Sequence, residues 1–91
     1  MSEVVSLHWS SEEWTWLERR AAAVQRRGFS AALESGQSRS GHPTATISVD
    51  SPDGKFRVVE TYTRVRGRIA RLDEKGRMVA EGESLAAVLI Q

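Results

Sequence analysis

The residues best suited to chemistry in this chain are arginines concentrated in one stretch. Residues 55–72 carry six basic side chains and one acidic one, so this segment has a net charge of +5, whereas the whole chain carries +1. Successive side chains of a β-strand point to opposite faces. If residues 56–72 form a strand, one face therefore carries an aromatic ring and three guanidinium groups: Tyr62, Arg64, Arg66 and Arg68. Arginines contact phosphates and tyrosine stacks on bases, so the pattern is typical of a strand-based nucleic-acid surface.

The same arginines also fit a purely structural role. Exposed strands often carry arginines opposite acidic residues of neighbouring strands, and charges on edge strands prevent aggregation. Glu60, Glu81 and Glu83 are available to neutralise them. The isoelectric point of about 8.3 lies below the value above about 9 that is typical of nucleic-acid-binding domains. We therefore favour a solvated or salt-bridged face, with nucleic-acid binding as the alternative.

A second candidate site is Trp16, within a helix predicted over residues 11–27. At about 100° per residue, the apolar stripe of this helix spans roughly 80°. The stripe consists of Trp14, Leu17, Ala21 and Val24. Trp16 points nearly opposite Trp14, which leaves three interpretations. It packs into the core from another side, it is shielded by Arg20 through a cation–π contact, or it anchors a protein interface together with Arg20.

Other kinds of chemistry find little support in the sequence. The chain has no cysteine, which removes disulfides and thiolate metal sites. Its two histidines, His8 and His42, lack the spacing of a metal-binding pair. Neither a phosphate-binding glycine-rich loop nor a nucleophile elbow is present. We therefore predict no catalytic residues, no metal site and no cofactor.

Clear signals mark both ends of the predicted N-terminal helix. Ser10 and Glu13 have the spacing of a capping box. Trp9 and Trp14 occupy the two positions of a hydrophobic staple on either side of this cap. Gly28 stands where a left-handed residue ends a helix. The sequence therefore predicts a helix that begins at the cap and stops just before Gly28.

The remainder of the chain has the two-residue period of strands and short turns between them. The predicted strands cover residues 29–34, for which continued helix is the competing interpretation, 44–50, 56–72 with a bend at Gly67, and 77–81. A brief helix is expected over residues 84–90, and residues 1–7 add a possible edge strand. Hairpin-length connections imply antiparallel pairing.

These elements predict an α+β fold. An N-terminal helix packs on an antiparallel β-meander of three to five strands, a short C-terminal helix follows, and the whole forms a two-layer sandwich. The expected core residues are Trp14, Leu17, Ala21, Val24, Ile47, Val49, Val59, Val65 and Ile69.

The functional expectation follows from size and from the lack of catalytic motifs. The 91 residues are expected to form one domain, residues 1–91. No apolar run approaches the roughly 20 residues of a membrane span, and the absence of cysteine favours the cytoplasm. We predict a non-enzymatic binding or adaptor module that acts through a protein–protein surface. Its partner is expected to be a second copy or another protein, and nucleic acid is the alternative.

Overall fold

One helix, five strands and a short second helix follow one another along the chain. The structure is a computed structural model, and it describes residues 9–25, 30–50 and 53–90. Its elements are α1 (Ser11–Val24), β1 (Ala31–Gln37), β2 (Pro43–Asp50), β3 (Phe56–Val65), β4 (Arg68–Leu72), β5 (Met78–Gly82) and α2 (Leu85–Leu89). The predicted edge strand at residues 1–7 lies outside the described residues. Neither helix in the described ranges is long and apolar enough to cross a membrane.

The start of α1 confirms the predicted capping box. The Ser10 hydroxyl accepts a hydrogen bond from the Glu13 backbone amide at 3.0 Å, and the Ser10 amide donates to the Glu13 carboxylate at 2.9 Å. The helix ends at Val24, because Gln25 leaves the helical region with ψ at 69°. This end comes three residues before the predicted one, and the predicted stop at Gly28 lies outside the described residues.

The five strands form one antiparallel sheet in the order β1-β2-β3-β4-β5, which confirms the predicted meander. Ala31–Gln37 is strand, so the competing prediction of continued helix there is wrong. Each strand pairs with its neighbour in sequence, and Tyr62 lies opposite Ala45 on one side and Arg71 on the other.

The predicted long strand over residues 56–72 is wrong, because this segment folds back on itself. Val65 pairs with Arg68, and the two residues between them form a tight turn. Arg66 and Gly67 both have positive φ, at 53° and 79°. Two such residues are what a type I′ hairpin turn requires, and its twist matches that of the flanking strands. The bend expected at Gly67 is therefore a complete reversal between β3 and β4.

A bulge in β3 reverses the expected facing of its side chains. Ile47 lies opposite Glu60 while the next residue, Ser48, lies opposite Val58, so Val59 is an extra residue on its strand. An extra residue shifts the two-residue alternation by one position. Val59 therefore packs against the core together with Tyr62, which lies three residues further on.

Both helices pack on the same face of the sheet, here called the inner face. α1 contacts β1 and β2, and α2 contacts β4 and β5. Gly82 allows α2 to approach, because a Cβ atom at this position would lie 3.1 Å from the Cβ of Ala87. The predicted two-layer α+β sandwich is confirmed.

Four of the nine expected core residues are buried: Leu17, Ala21, Ile47 and Ile69. Three more pack against the core while partly exposed: Trp14, Val24 and Val59. Val49 and Val65 are only half-buried, and Val65 lies on the outer face because its neighbour Arg64 lies on the inner one. Further buried core residues, which were not among those expected from the sequence, are Trp9, Ala45, Tyr62, Ala80, Leu85 and Val88.

Candidate functional site

A pocket of about 250 Å³ opens between the two helices beside Trp16. Its walls are formed by the indole of Trp16, the side chains of Arg19 and Arg20, and Leu89 at the end of α2. Ile90 follows directly and is 86 % exposed. The pocket therefore brings an aromatic and an aliphatic residue together with two arginines. It brings together the two residues that the sequence assigned to an interface, Trp16 and Arg20.

Trp16 is placed at the margin of the hydrophobic core. Its side chain is half-buried and packs against the buried cluster, while another part of it lines the open pocket. Leu17 and Ala21 hold α1 on the sheet, which fixes the direction of Trp16. A large aromatic surface is thus presented in a fixed position.

Arg20 leads from this pocket to a hydrogen-bonded network on β3. Its Nε donates to Glu60 Oε1 at 3.0 Å, and its terminal nitrogen pairs with Glu60 Oε2. The Tyr62 hydroxyl donates to the same Glu60 Oε1 at 2.6 Å. A two-point arginine–carboxylate pair has fixed geometry as well as strength. The network therefore fixes Arg20 on the edge of the pocket.

Burial and pairing set the protonation of this network. Burial alone would raise the pKa of Glu60, but hydrogen bonds from Arg20 and Tyr62 bring that pKa below its ordinary value. Burial, followed by the hydrogen bond to Glu60, raises the pKa of the Tyr62 phenol. The hydrogen bond to Glu60 also raises the pKa of Arg20. All three pKa values move away from neutrality. Near pH 7, Glu60 and Arg20 therefore stay charged and Tyr62 stays neutral, so none of the three is suited to proton transfer at that pH.

Arg64 belongs to a second cluster on the inner face. Its guanidinium carbon lies 4.9 Å from the centre of the Trp9 ring, within the range of a cation–π contact. A terminal nitrogen of Arg64 also pairs with Glu13 of the capping box. Trp9 itself is fully buried and donates from its indole nitrogen to the Thr44 carbonyl at 3.2 Å. These contacts tie the start of α1 to the middle of the sheet.

Arg66 and Arg68 lie apart from these clusters, at the β3–β4 turn. Both are exposed. Arg68 contacts Glu81 at 3.2 Å and Glu83 at 3.7 Å, as the salt-bridged interpretation of the sequence expects. At this end of the sheet, therefore, acids lie beside one of the two exposed arginines.

The expected arrangement of a shared exposed face is wrong for the four residues assigned to nucleic-acid binding. Tyr62 has no exposed surface, and Arg64 is half-buried beneath the start of α1. The bulge at Val59 turns both side chains inward, and the turn at Arg66 separates them from Arg68. A base cannot stack on a ring that is covered by the core.

Two features of the candidate site were not predicted from the sequence. Leu89 was not expected to form a pocket with Trp16, because the two residues are distant in sequence. Glu60 was assigned only to charge neutralisation, although it is the sole acid in a basic stretch and thus the natural partner for an arginine of the covering helix. Within the described part of the chain, no group of three or more potential ligands is placed to hold a metal ion.

Comparisons with protein-family models, with curated proteins and with solved structures found no match to this chain.

Proposed function

We propose that this protein is a non-enzymatic binding module that self-associates through a protein–protein surface around the pocket beside Trp16. The observation that supports this most strongly is the half-buried Trp16 in a pocket that it shares with two arginines and Leu89. Tryptophan and arginine are the residues most enriched among those that dominate binding energy at protein interfaces.

The size of the pocket favours a side chain of a protein partner over a free small molecule. Its volume of about 250 Å³ lies below the roughly 300–1,000 Å³ of typical small-molecule sites. Partial filling by one large side chain is the arrangement expected of an interface. Arg20 is held by Glu60, so little side-chain entropy is lost when a partner binds beside it.

Sedimentation velocity tests the proposal over about 1–200 µM protein, a range suited to a micromolar dissociation constant. We expect concentration-dependent dimers for the natural sequence. Replacing Trp16 by Ala should weaken association by about 2 kcal/mol or more, as expected for a central aromatic contact.

Glu18→Ala is the matched control, because Glu18 is exposed on the same helix two residues from Trp16 and points to a different side of it. It should leave the dissociation constant unchanged. Thermal unfolding must show that the Trp16 variant remains folded, since Trp16 also contacts the core. A natural protein that stays monomeric throughout the range contradicts self-association.

A labelled single-stranded oligonucleotide in a parallel titration tests the alternative partner. Only Arg66 and Arg68 remain exposed of the four residues first considered. Two phosphate contacts would give a log–log salt dependence with a slope of about −1.4. Binding with this slope, abolished when both arginines are replaced, would favour the nucleic-acid function.

A further inference from the structure

One side of α1 carries a charge pattern that is complementary to itself. Residues on this side recur at intervals of four, three and four, and at about 100° per residue they fall within roughly 60° of one another. This stripe, which we call the α1 stripe, consists of Glu12, Trp16, Arg19 and Ala23. It lies beside the pocket and away from the buried residues Leu17 and Ala21.

The two charged members of the α1 stripe are too far apart to pair with each other. Glu12 and Arg19 are both exposed, and they lie seven positions apart in the helix, which is about 10 Å along its axis. Within residues 9–25, 30–50 and 53–90, neither side chain takes part in an ion pair. One stands near the start of α1 and the other towards its end, with Trp16 near the midpoint.

We propose that two copies of the chain associate through antiparallel α1 helices, related by a two-fold axis close to Trp16. This inference rests on the proposed self-association and specifies its geometry. In an antiparallel two-fold pair of helices, the numbers of any two residues that face each other add up to the same total. An axis between positions 15 and 16 brings Glu12 opposite the partner subunit's Arg19, and Arg19 opposite the partner subunit's Glu12. The two Trp16 side chains then lie next to each other at the centre.

This arrangement gives the interface an apolar centre and a polar rim, as stable protein interfaces have. The aromatic surface of Trp16 lies at the centre, and the two ion pairs lie at the rim on either side. The pocket walls formed by Leu89 flank the centre on each subunit.

The same charges argue against an unrelated acidic peptide as the occupant. A uniformly acidic segment would pair with Arg19, but it would also place an acidic side chain opposite Glu12, which lies four residues before Trp16. Like charges placed opposite each other disfavour binding. A second copy satisfies both charges at once, because each subunit supplies the partner that the other needs.

Charge reversal provides a direct test, because the arrangement predicts complementation. Glu12→Arg makes both charged positions of the stripe positive, and Arg19→Glu makes both negative. Each variant alone places like charges opposite each other twice, so its dissociation constant should rise about tenfold, as expected for two exposed pairs. An equimolar mixture should form heterodimers with about the natural affinity. The double variant Glu12→Arg/Arg19→Glu should also associate as the natural protein does.

The matched control is Glu18→Arg, because Glu18 is exposed on α1 but lies off the stripe. It makes the same charge change and should leave the dissociation constant unchanged. Glu12 also lies in the first turn of α1, where an acid stabilises the helix dipole. Should Glu12→Arg unfold the protein, Glu12→Gln and Arg19→Gln replace the reversals, and each should weaken association about threefold.

Sedimentation equilibrium and mass spectrometry of the mixture measure every outcome. Weak single variants that form heterodimers on mixing support the proposal. Single variants that associate as tightly as the natural protein overturn the α1 geometry but leave self-association standing through another surface. Weak single variants that fail to complement each other also overturn it. If the natural protein is monomeric at about 200 µM, the inference and the proposed self-association both fail.

Discussion

Arg64 and Arg68 lie four residues apart in the same hairpin, yet they occupy opposite environments. Arg64 lies over the buried Trp9 ring and pairs with Glu13, and its side chain is 31 % exposed. Arg68 is 48 % exposed and pairs with two glutamates at the end of the sheet. The tight turn between them places Arg64 on the inner face, while Val65 and Arg68 share the outer one.

The comparison shows that a run of alternating arginines does not define one surface. An ion pair near the core is poorly screened by water, whereas an exposed pair contributes about 0–1 kcal/mol. The inward half of the hairpin, Glu60, Tyr62 and Arg64, is therefore expected to stabilise the fold. The turn half, Arg66 and Arg68, is expected to have little effect on stability.

The largest effect should come from the apolar residues that define the inner face. Ile69→Ala and Leu17→Ala each remove a buried side chain, and each should lower the free energy of unfolding by about 2–5 kcal/mol. Val65→Ala, on the outer face beside the turn, should cost less than about 1 kcal/mol. Urea denaturation measures all three. Equal costs at Ile69 and Val65 would mean that the two faces of the hairpin are assigned wrongly.

Glu60→Gln should have the next largest effect. This change keeps the size of the side chain but leaves Arg20 without its carboxylate, which should cost about 1–3 kcal/mol at neutral pH. Glu60 has a lower pKa in the folded than in the unfolded chain. Its contribution is therefore complete above its ordinary pKa of 4.5 and is lost as the pH falls through the folded-state pKa.

Denaturation of the natural protein and the variant at a series of pH values between neutral and strongly acid checks this expectation. The stability difference between the two proteins should shrink as the acid limit is approached. A difference that stays constant with pH would mean that the Glu60 charge contributes nothing.

Arg64→Ala and Arg68→Ala compare the two halves of the hairpin directly. Arg64→Ala removes the Glu13 pair and the contact with Trp9, and should cost about 1–1.5 kcal/mol. Arg68→Ala should cost less than about 0.5 kcal/mol. Thermal unfolding at low and high salt measures both. A larger loss at Arg68 would reverse the comparison.

The smallest effect, and a stabilising one, is expected at the turn. Arg66 has φ at 53°, a left-handed conformation that most side chains disfavour. Arg66→Asn creates the asparagine–glycine pair preferred in type I′ turns and should raise the free energy of unfolding by about 0.5 kcal/mol. Arg57→Asn, at an exposed position of β3, is the control and should give no gain. A loss at Arg66 would show that its guanidinium makes a stabilising contact.

The sequence predicted the elements more accurately than it predicted which way their side chains face. The capping box at Ser10, the meander and the brief second helix were all recognisable, because caps and turns depend on a few neighbouring residues. The side-chain facing of β3 was not, since both of its faces mix polar and bulky side chains. An extra residue at Val59 then shifted every position beyond it by one.

The candidate site shows the same division. Trp16 stood out in the sequence, because a tryptophan on the polar side of an amphipathic helix needs a specific explanation. The sequence did not show that Leu89 lies beside Trp16, because α2 is brought to the pocket by packing on the sheet. The sequence likewise did not show which of several glutamates forms the ion pair with Arg20.

The amino-acid sequence by itself determined the class of fold, the start of α1 and the candidate role of Trp16, since these depend on local periodicity and on interactions between residues close in the chain. Only the tertiary structure decided that Tyr62 and Arg64 face the helices, that Glu60 joins Arg20, and that α2 completes the pocket. The physical reason is that strand register, and with it the facing of every side chain, is fixed by pairing between distant segments.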